Sequence, residues 1–297
     1  MVRRVVALGI VLLLGYAAVT GVSSLFGGES AATAPSTPIT QIVINDGTPT
    51  TLGTLPPTTT TQPPVKPKTT PTKDDPAEVL ILGDSDAGSF GPYLKTLLDQ
   101  TGIATTELDY KTSSGLARPD FFDWPAHMGE VVPQVNPDIV VVTFGGNDAQ
   151  GLRNLDKTWA VDHAPASGAD DADWKAEYGK RVGAVMDYLT EGNRTLVWVG
   201  IPNDDNPDVT ARMQVQDEVV RAEVAKRKDK VAFVDTWARF SGRNDGWAEY
   251  VIDPRDGEGK DVRADDGFHL NTTGAEILAL DIAEAVKTDL RARGAAI

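Results

Sequence analysis

Three polar residues at predicted element boundaries have the side chains that nucleophilic catalysis requires. Ser85 follows the apolar run 79–82 and Gly83, while Asp266 and His269 lie three residues apart just before the C-terminal helical pattern. A serine hydroxyl is a poor nucleophile at neutral pH until a base takes its proton. A histidine serves as that base when a carboxylate fixes its tautomer and stabilises the imidazolium. These residue types predict acyl transfer by a Ser–His–Asp mechanism.

Acyl transfer also needs hydrogen-bond donors directed at the oxyanion that develops on the substrate. The backbone amide of Ser85 is one candidate. Gly115, in the loop after the second predicted strand, has an amide that no side chain of its own shields. Asn147 follows the strongest predicted strand and two glycines, and its amide can donate. These residues predict an oxyanion hole formed at three strand ends.

Other interpretations of these residues stay open in the sequence. Ser85 taken alone is equally typical of a helix cap. Asp265 is an alternative to Asp266 as the orienting acid, although the spacing to His269 favours Asp266. Asp148 is expected to hold loop amides beside the site rather than to act as a catalytic acid.

The elements that must position these residues alternate between strands and helices. Apolar and β-branched runs predict strands at 80–82, 105–110, 138–144, 195–201 and 231–235. Apolar stripes of helical period predict helices at 90–100, 124–135, 174–190, 209–228 and 272–293. The alternation predicts an α/β fold with a mainly parallel sheet and helices on both faces. Segments 149–173 and 236–268 are predicted to be irregular excursions.

Four short motifs in this order resemble the blocks of the SGNH hydrolases, also called the GDSL-like esterase and lipase family. The motifs are Gly83-Asp84-Ser85, a glycine at Gly115, Gly145-Gly146-Asn147-Asp148 and Asp266-Gly267-Phe268-His269. The resemblance covers the chain from about residue 78 to the C-terminus. It implies a flavodoxin-like three-layer α/β/α fold, with Ser85 as nucleophile, His269 as base and Asp266 as orienting acid. It also implies an oxyanion hole of Ser85, Gly115 and Asn147, with no metal or organic cofactor.

One residue departs from the common pattern of that family. The residue after the serine is often leucine or another uncharged residue, and here it is Asp86. A carboxylate beside the nucleophile raises the proton affinity of nearby groups and disfavours anionic substrates. The segments 115–125 and 263–267 also resemble a bacterial extracytoplasmic subgroup of the family known only as a domain of unknown function, which indicates no substrate.

The N-terminal quarter of the chain differs in composition from the rest. Residues 1–28 contain two arginines followed by an uncharged, mostly apolar run, which predicts a membrane anchor, with a cleaved signal segment as the alternative. Residues 29–76 are rich in Pro, Thr and Ser and are predicted to form a disordered tether. Residues 77–297 are predicted to form the hydrolase-like domain. Both alternatives place that domain outside the cytoplasm, on the cell membrane or secreted.

The amino-acid composition limits which classes of binding partner and which kinds of catalytic chemistry we expect for the protein. The net charge of −15 argues against nucleic acid as a partner. The absence of cysteine excludes disulfides and thiol chemistry. The sequence therefore predicts an extracytoplasmic serine esterase acting on short acyl esters, most simply O-acetyl groups of cell-envelope glycans. The alternatives are an O-acyltransferase that uses the same triad on a glycan hydroxyl, and a non-catalytic envelope-binding module.

Overall fold

A five-stranded parallel sheet lies at the centre of the protein. The computed structural model describes residues 66–166 and 171–297. The sheet strands are β1 (Ala77–Gly83), β2 (Ala104–Tyr110), β3 (Ile139–Thr143), β6 (Thr195–Val199) and β7 (Val231–Val234). Their spatial order is β2-β1-β3-β6-β7. Counting only these strands, this is the 2-1-3-4-5 order of flavodoxin-like folds, in which ligands bind where the strand order reverses.

In the part of the chain that the structure describes, six α-helices cover the sheet. They are α1 (Ser85–Asp99), α2 (Trp124–Val135), α3 (Ala172–Leu189), α4 (Pro207–Ala225), α5 (Thr236–Phe240) and α6 (Thr272–Ala292). Helices α2, α3 and α4 supply the core on one sheet face, and α1, α5 and α6 supply the core on the other. This three-layer α/β/α arrangement confirms the predicted fold class.

Both faces of the central strands are buried, which explains why β1, β3 and β6 are mostly apolar in the sequence. In β1, Leu80 and Leu82 face the core with α2–α4, whereas Val79 and Ile81 face the core with α1 and α6. Successive side chains of a strand point to opposite faces, so a strand covered on both sides needs apolar side chains on both of its faces.

Short polar side chains define where most of the helices begin. The residues that cap α1, α2, α4, α5 and α6 each accept a hydrogen bond from an amide in the first helical turn; they are Asp84, Asp123, Asn206, Asp235 and Asn271. Such caps satisfy amides that have no partner inside the helix. Helix α1 begins at Ser85, five residues earlier than its apolar stripe indicates, because Asp84 caps it there.

The two segments predicted to be irregular each contain a small hairpin. Strands β4 (Leu152–Arg153) and β5 (Trp159–Val161) pair antiparallel within the first segment. Strands β8 (Tyr250–Ile252) and β9 (Gly259–Asp261) pair antiparallel within the second. These strands have only two or three residues each, which is too short for a periodic pattern to reveal them.

The described part of the predicted tether contacts the domain at the amino ends of the strands. Lys66 Nζ lies 2.7 Å from Oδ2 of Asp138, the residue before β3. The Lys66 carbonyl accepts a hydrogen bond of 3.0 Å from Asn193, two residues before β6. Thr70 donates to the carbonyl of Arg293 at the end of α6, over 2.7 Å. These contacts hold residues 66–70 at the amino ends of the sheet strands, whereas Ser85 follows the carboxyl end of β1.

The remaining predictions for the N-terminus lie outside the described residues. These are the anchor or signal segment 1–28 and the tether residues 29–65. Within residues 66–166 and 171–297, no helix has both the length and the apolar character needed to cross a membrane.

Candidate active site

The junction of β1 with α1 presents Ser85 at the carboxyl edge of the sheet. Gly83, the last residue of β1, has a φ of +152°, and a Cβ there would lie 2.4 Å from the carbonyl oxygen of Thr143 on β3. Only glycine permits this close approach of the two strands. Ser85 follows as the first residue of α1, half-buried, where helix amides point into the crevice.

The buried side chain of Asp84 links the ends of β1 and β3. Its Oδ1 accepts a hydrogen bond of 3.0 Å from the amide of Asp86, and its Oδ2 accepts one of 3.2 Å from the amide of Gly145. Burial, followed by the charge of Asp86, raises the pKa of Asp84 well above its ordinary value. Asp84 therefore holds the Ser85 turn against the turn that carries Asn147.

His269 joins Ser85 to Asp266 in one hydrogen-bonded chain. Ser85 Oγ lies 2.9 Å from His269 Nε2, and His269 Nδ1 lies 2.6 Å from Asp266 Oδ2. Because a carboxylate only accepts hydrogen bonds, Nδ1 carries the proton and Nε2 is free to accept the serine proton. Both ring nitrogens are thus occupied, so Asp266 rather than its neighbour Asp265 orients the ring.

Asp266 is held as an anion by its own loop. Its Oδ1 accepts hydrogen bonds of 3.1 Å and 3.0 Å from the amides of Phe268 and His269. Partial burial acts to raise the pKa of Asp266, but the hydrogen bonds from the His269 ring and from these amides outweigh it and hold the pKa below its ordinary value. The carboxyl is therefore charged at neutral pH.

Arg263 is a buried guanidinium that fixes the loop carrying the base. It donates to the carbonyls of Ala248, Asn203, Phe268 and Phe240 and to Asn203 Oδ1, over 2.6–3.1 Å. Burial lowers the pKa of Arg263 to about 10. The sequence alone gives Arg263 no role; its one signal there is its place in the segment 263–267, which resembles the extracytoplasmic subgroup of the family.

The predicted oxyanion residues lie at the ends of three adjacent strands, β2, β1 and β3. Gly115 follows β2 in a buried loop, and Asn147 follows β3. Asn147 Nδ2 donates to the carbonyl of Ser114 over 3.1 Å, which ties it to the Gly115 loop. One amide proton of Asn147 remains for another acceptor. Hydrogen bonds thus tie the Asn147 turn to the Gly115 loop and, through Asp84, to the turn that carries Ser85.

Asp148 holds the loop that contains Gly115 by accepting hydrogen bonds from its backbone amides, as the sequence predicted. Its carboxylate accepts hydrogen bonds of 2.9 Å from the amides of Leu116 and Ala117 and from the hydroxyl of Tyr178. Burial raises the pKa of Asp148, although these three bonds oppose the rise. A Cβ on Gly115 would lie 2.1 Å from Asp148 Oδ1, so only glycine fits there.

The other two histidines lie apart from this arrangement. His127 Nε2 contacts Asp109 over 2.7 Å, and His163 Nε2 contacts Asp173 over 3.2 Å on the surface. Within residues 66–166 and 171–297, no group of three or more His, Asp or Glu residues is arranged to hold a metal ion.

Fold and site together define a doubly wound α/β protein with a Ser–His–Asp arrangement at the carboxyl edge of its sheet. The chain belongs to the family described as "Protein of unknown function (DUF459)", whose profile matches residues 78–285. The match runs from β1 into α6 and includes every residue of the site. This confirms the resemblance to a subgroup known only as a domain of unknown function.

Solved structures with a similar fold include three bacterial hydrolases. A GDSL-like lipase from Bacteroides thetaiotaomicron is 12% identical over 74% of this chain and 92% of its own, with a TM-score of 0.47. A lipase/acylhydrolase from Enterococcus faecalis is 15% identical over 72% and 96%, with a TM-score of 0.48. An acetyl-xylooligosaccharide esterase variant from Geobacillus is 16% identical over 70% and 93%, with a TM-score of 0.48. No curated protein matches the sequence significantly.

Proposed function

We propose that the protein is a serine ester hydrolase that acts outside the cytoplasm on short acyl esters, most simply O-acetyl groups of cell-envelope glycans. The observation that carries the proposal is the continuous contact from Ser85 Oγ through His269 to Asp266, over 2.9 Å and 2.6 Å. A nucleophile, a base and an orienting carboxylate at these distances are the requirement for covalent acyl transfer.

The proposed reaction has two halves. Ser85 Oγ attacks the ester carbonyl while its proton passes to His269 Nε2, and the oxyanion accepts hydrogen bonds at Ser85, Gly115 and Asn147. The intermediate collapses, and the leaving alkoxide takes the proton from His269. Water then attacks the acyl-serine, with His269 again accepting a proton. The free acid leaves and the Ser85 hydroxyl is restored.

Exposure of the base supports a large alcohol group in the substrate. The side chain of His269 is 35% exposed and that of Asp266 is 52% exposed. The alcohol that takes a proton from His269 can therefore extend into solvent, as a polymer must. The proposed glycan and the proposed membrane attachment through residues 1–28 rest on the sequence of the N-terminus.

The proposal is tested by following the release of p-nitrophenol from its acetate, butyrate and octanoate esters with the full chain. We expect turnover that is fastest for the acetate, and covalent labelling of the protein by a fluorophosphonate at one site. Ser85→Ala is expected to lose both the turnover and the label. Equal rates for the wild type and Ser85→Ala would contradict the proposal.

The same assay distinguishes hydrolysis from acyl transfer. With methyl glucoside added, a hydrolase releases free acetate, whereas an acyltransferase leaves the acetyl group on the sugar. Recovery of acetylated methyl glucoside as the main product would favour the transferase alternative. A wild-type protein inert in every one of these reactions would favour the binding module.

Gly115→Ala tests the predicted oxyanion loop. The added Cβ would lie 2.1 Å from Asp148 Oδ1, so either the loop or the carboxylate that supports it must move. We expect kcat/KM for p-nitrophenyl acetate to fall about a hundredfold, as when one oxyanion donor is lost. Gly259→Ala is the control, because a Cβ there meets nothing within 4 Å. An unchanged kcat/KM in Gly115→Ala would remove Gly115 from the proposed oxyanion hole.

A further inference from the structure

Asp86 is a buried carboxyl group next to the nucleophile, and its contacts explain no structural role. It is only 6% exposed, and none of the described residues hydrogen-bonds its Oδ2. Burying a carboxylate without hydrogen-bond donors costs free energy, and proteins normally pair such groups. The departure from the family pattern thus places next to Ser85 a buried carboxyl with one oxygen that no described residue hydrogen-bonds.

Asp86 Oδ2, the oxygen without a hydrogen bond among the described residues, lies close to Gly146 and Phe268. A Cβ built on Gly146 would lie 3.5 Å from Asp86 Oδ2 and 2.9 Å from the Phe268 ring. The Phe268 ring in turn packs edge-on against the His269 imidazole, with centroids 5.0 Å apart. Asp86, Phe268 and His269 are therefore packed in one small region.

Four charged or titratable groups face the Asp86 carboxyl. His269 and Asp266 face it from the catalytic loop, Arg263 from the segment before that loop, and Asp84 from the cap of α1. Burial raises the pKa of Asp86 to about 6, with His269 and Arg263 opposing the rise and Asp266 adding to it. At neutral pH the buried carboxyl is therefore mostly charged.

Arg263 does not neutralise this charge by direct pairing. A guanidinium has five N–H donors, and all five of Arg263 are used in bonds to Ala248, Asn203, Phe240 and Phe268. Asp84 and Asp266 are themselves acids. His269 is thus the one group facing Asp86 that gains a positive charge during the proposed reaction.

We propose that Asp86 is a positioning residue for the base, whose buried carboxylate stabilises the His269 imidazolium through space. The inference rests on the proposed function. Asp266 is bonded to the ring over 2.6 Å, so it sets the orientation of the ring and stabilises its charge at contact distance. Asp86 lies in the interior, where its charge acts over a longer range. We therefore expect the buried charge of Asp86 to add to the stabilisation that Asp266 provides.

The test follows the three histidine side chains of the full chain by NMR as a function of pH. Removing an anion near His269 makes its charged form less stable, so its titration midpoint must move to lower pH. We expect Asp86→Asn to lower the midpoint measurably, as for the loss of an opposite charge. Asp265→Asn is the matched control, because it removes an exposed carboxylate from the same loop and is expected to change the midpoint little. An unchanged midpoint in Asp86→Asn, or an equal shift in Asp265→Asn, would overturn the inference.

Kinetics provide a second measurement. In the wild type, protonation of Asp86 is expected to contribute to the acidic limb of the kcat/KM profile as the pH falls through about 6. In Asp86→Asn this contribution is expected to be lost, so the acidic limb is less steep, and kcat/KM at pH 8 is expected to be reduced about tenfold. A wild-type protein without esterase activity would contradict the proposed function alone, since the histidine titration needs no ester.

A stability measurement separates this role from a structural one. Because the pKa of Asp86 is raised in the folded protein, its charge opposes folding above about pH 6 and has no effect below the pKa of the unfolded chain. Asp86→Asn and Asp86→Leu are therefore expected to raise Tm by a few degrees at pH 8 and not at pH 3.5. A lower Tm at pH 8 in both variants would show that Asp86 is needed for folding and would overturn the inference.

Discussion

Replacing His269 with alanine is expected to lower kcat/KM for p-nitrophenyl acetate by on the order of a thousandfold or more. The ring joins Ser85 Oγ, 2.9 Å from its Nε2, to the Asp266 carboxylate, 2.6 Å from its Nδ1. Without it, the serine has no group that accepts its proton, and the leaving alcohol has no donor. The measurement is the initial rate of p-nitrophenol release at saturating and at subsaturating concentrations of the ester.

His127→Ala is a matched control for that experiment. His127 also contacts a carboxylate, Asp109, over 2.7 Å, and its side chain is 28% exposed against 35% for His269. In the described part of the chain, His127 differs from His269 in that no serine hydroxyl is hydrogen-bonded to its ring. We expect His127→Ala to retain the wild-type rate, so equal losses in the two variants would show that the effect of His269→Ala is not catalytic.

Replacing Asp148 with alanine is expected to lower the free energy of unfolding by about 3–5 kcal/mol. The fully buried carboxylate accepts three hydrogen bonds of 2.9 Å, from the amides of Leu116 and Ala117 and from Tyr178. The substitution leaves all three buried donors without an acceptor, and each such donor costs about 1–3 kcal/mol. Urea denaturation followed by far-UV circular dichroism measures the difference.

Tyr178→Phe separates the hydroxyl bond from the loop bonds. It removes one of the three donors and leaves the amides of Leu116 and Ala117 on Asp148. We expect a loss of about 1 kcal/mol in unfolding free energy, with the esterase rate unchanged. If Asp148→Ala were as stable as Tyr178→Phe, the amide bonds would have no part in holding the loop.

The sheet and the candidate site residues can be predicted from the sequence because each is marked by a pattern of neighbouring residues. The continuous apolar runs of β1 and β3 report burial on both faces, and such runs end where a parallel strand ends. Ser85 and His269 are recognisable because each has a reactive side chain at such a boundary. The family match over residues 78–285 agrees with this interpretation.

The remaining features depend on contacts between distant residues, which no local pattern reveals. The first turns of α1 contain Gly88, Gly91 and Pro92, which are poor helix signals. Gly88 is small because a Cβ there would lie 2.5 Å from the Tyr110 ring of β2. Tertiary packing likewise sets the direction of the Asp86 side chain and the five acceptor atoms to which Arg263 donates.

The attachment of residues 66–70 has a consequence for the direction from which substrate arrives. These residues are bonded beside Asp138 and Arg293, at the amino ends of the strands, whereas Ser85 follows the carboxyl end of β1. The five residues of β3 separate the two edges by about 17 Å. Residues 66–70 thus lie on the side of the domain away from Ser85, and they do not block the approach of a substrate to Ser85 from the carboxyl edge of the sheet.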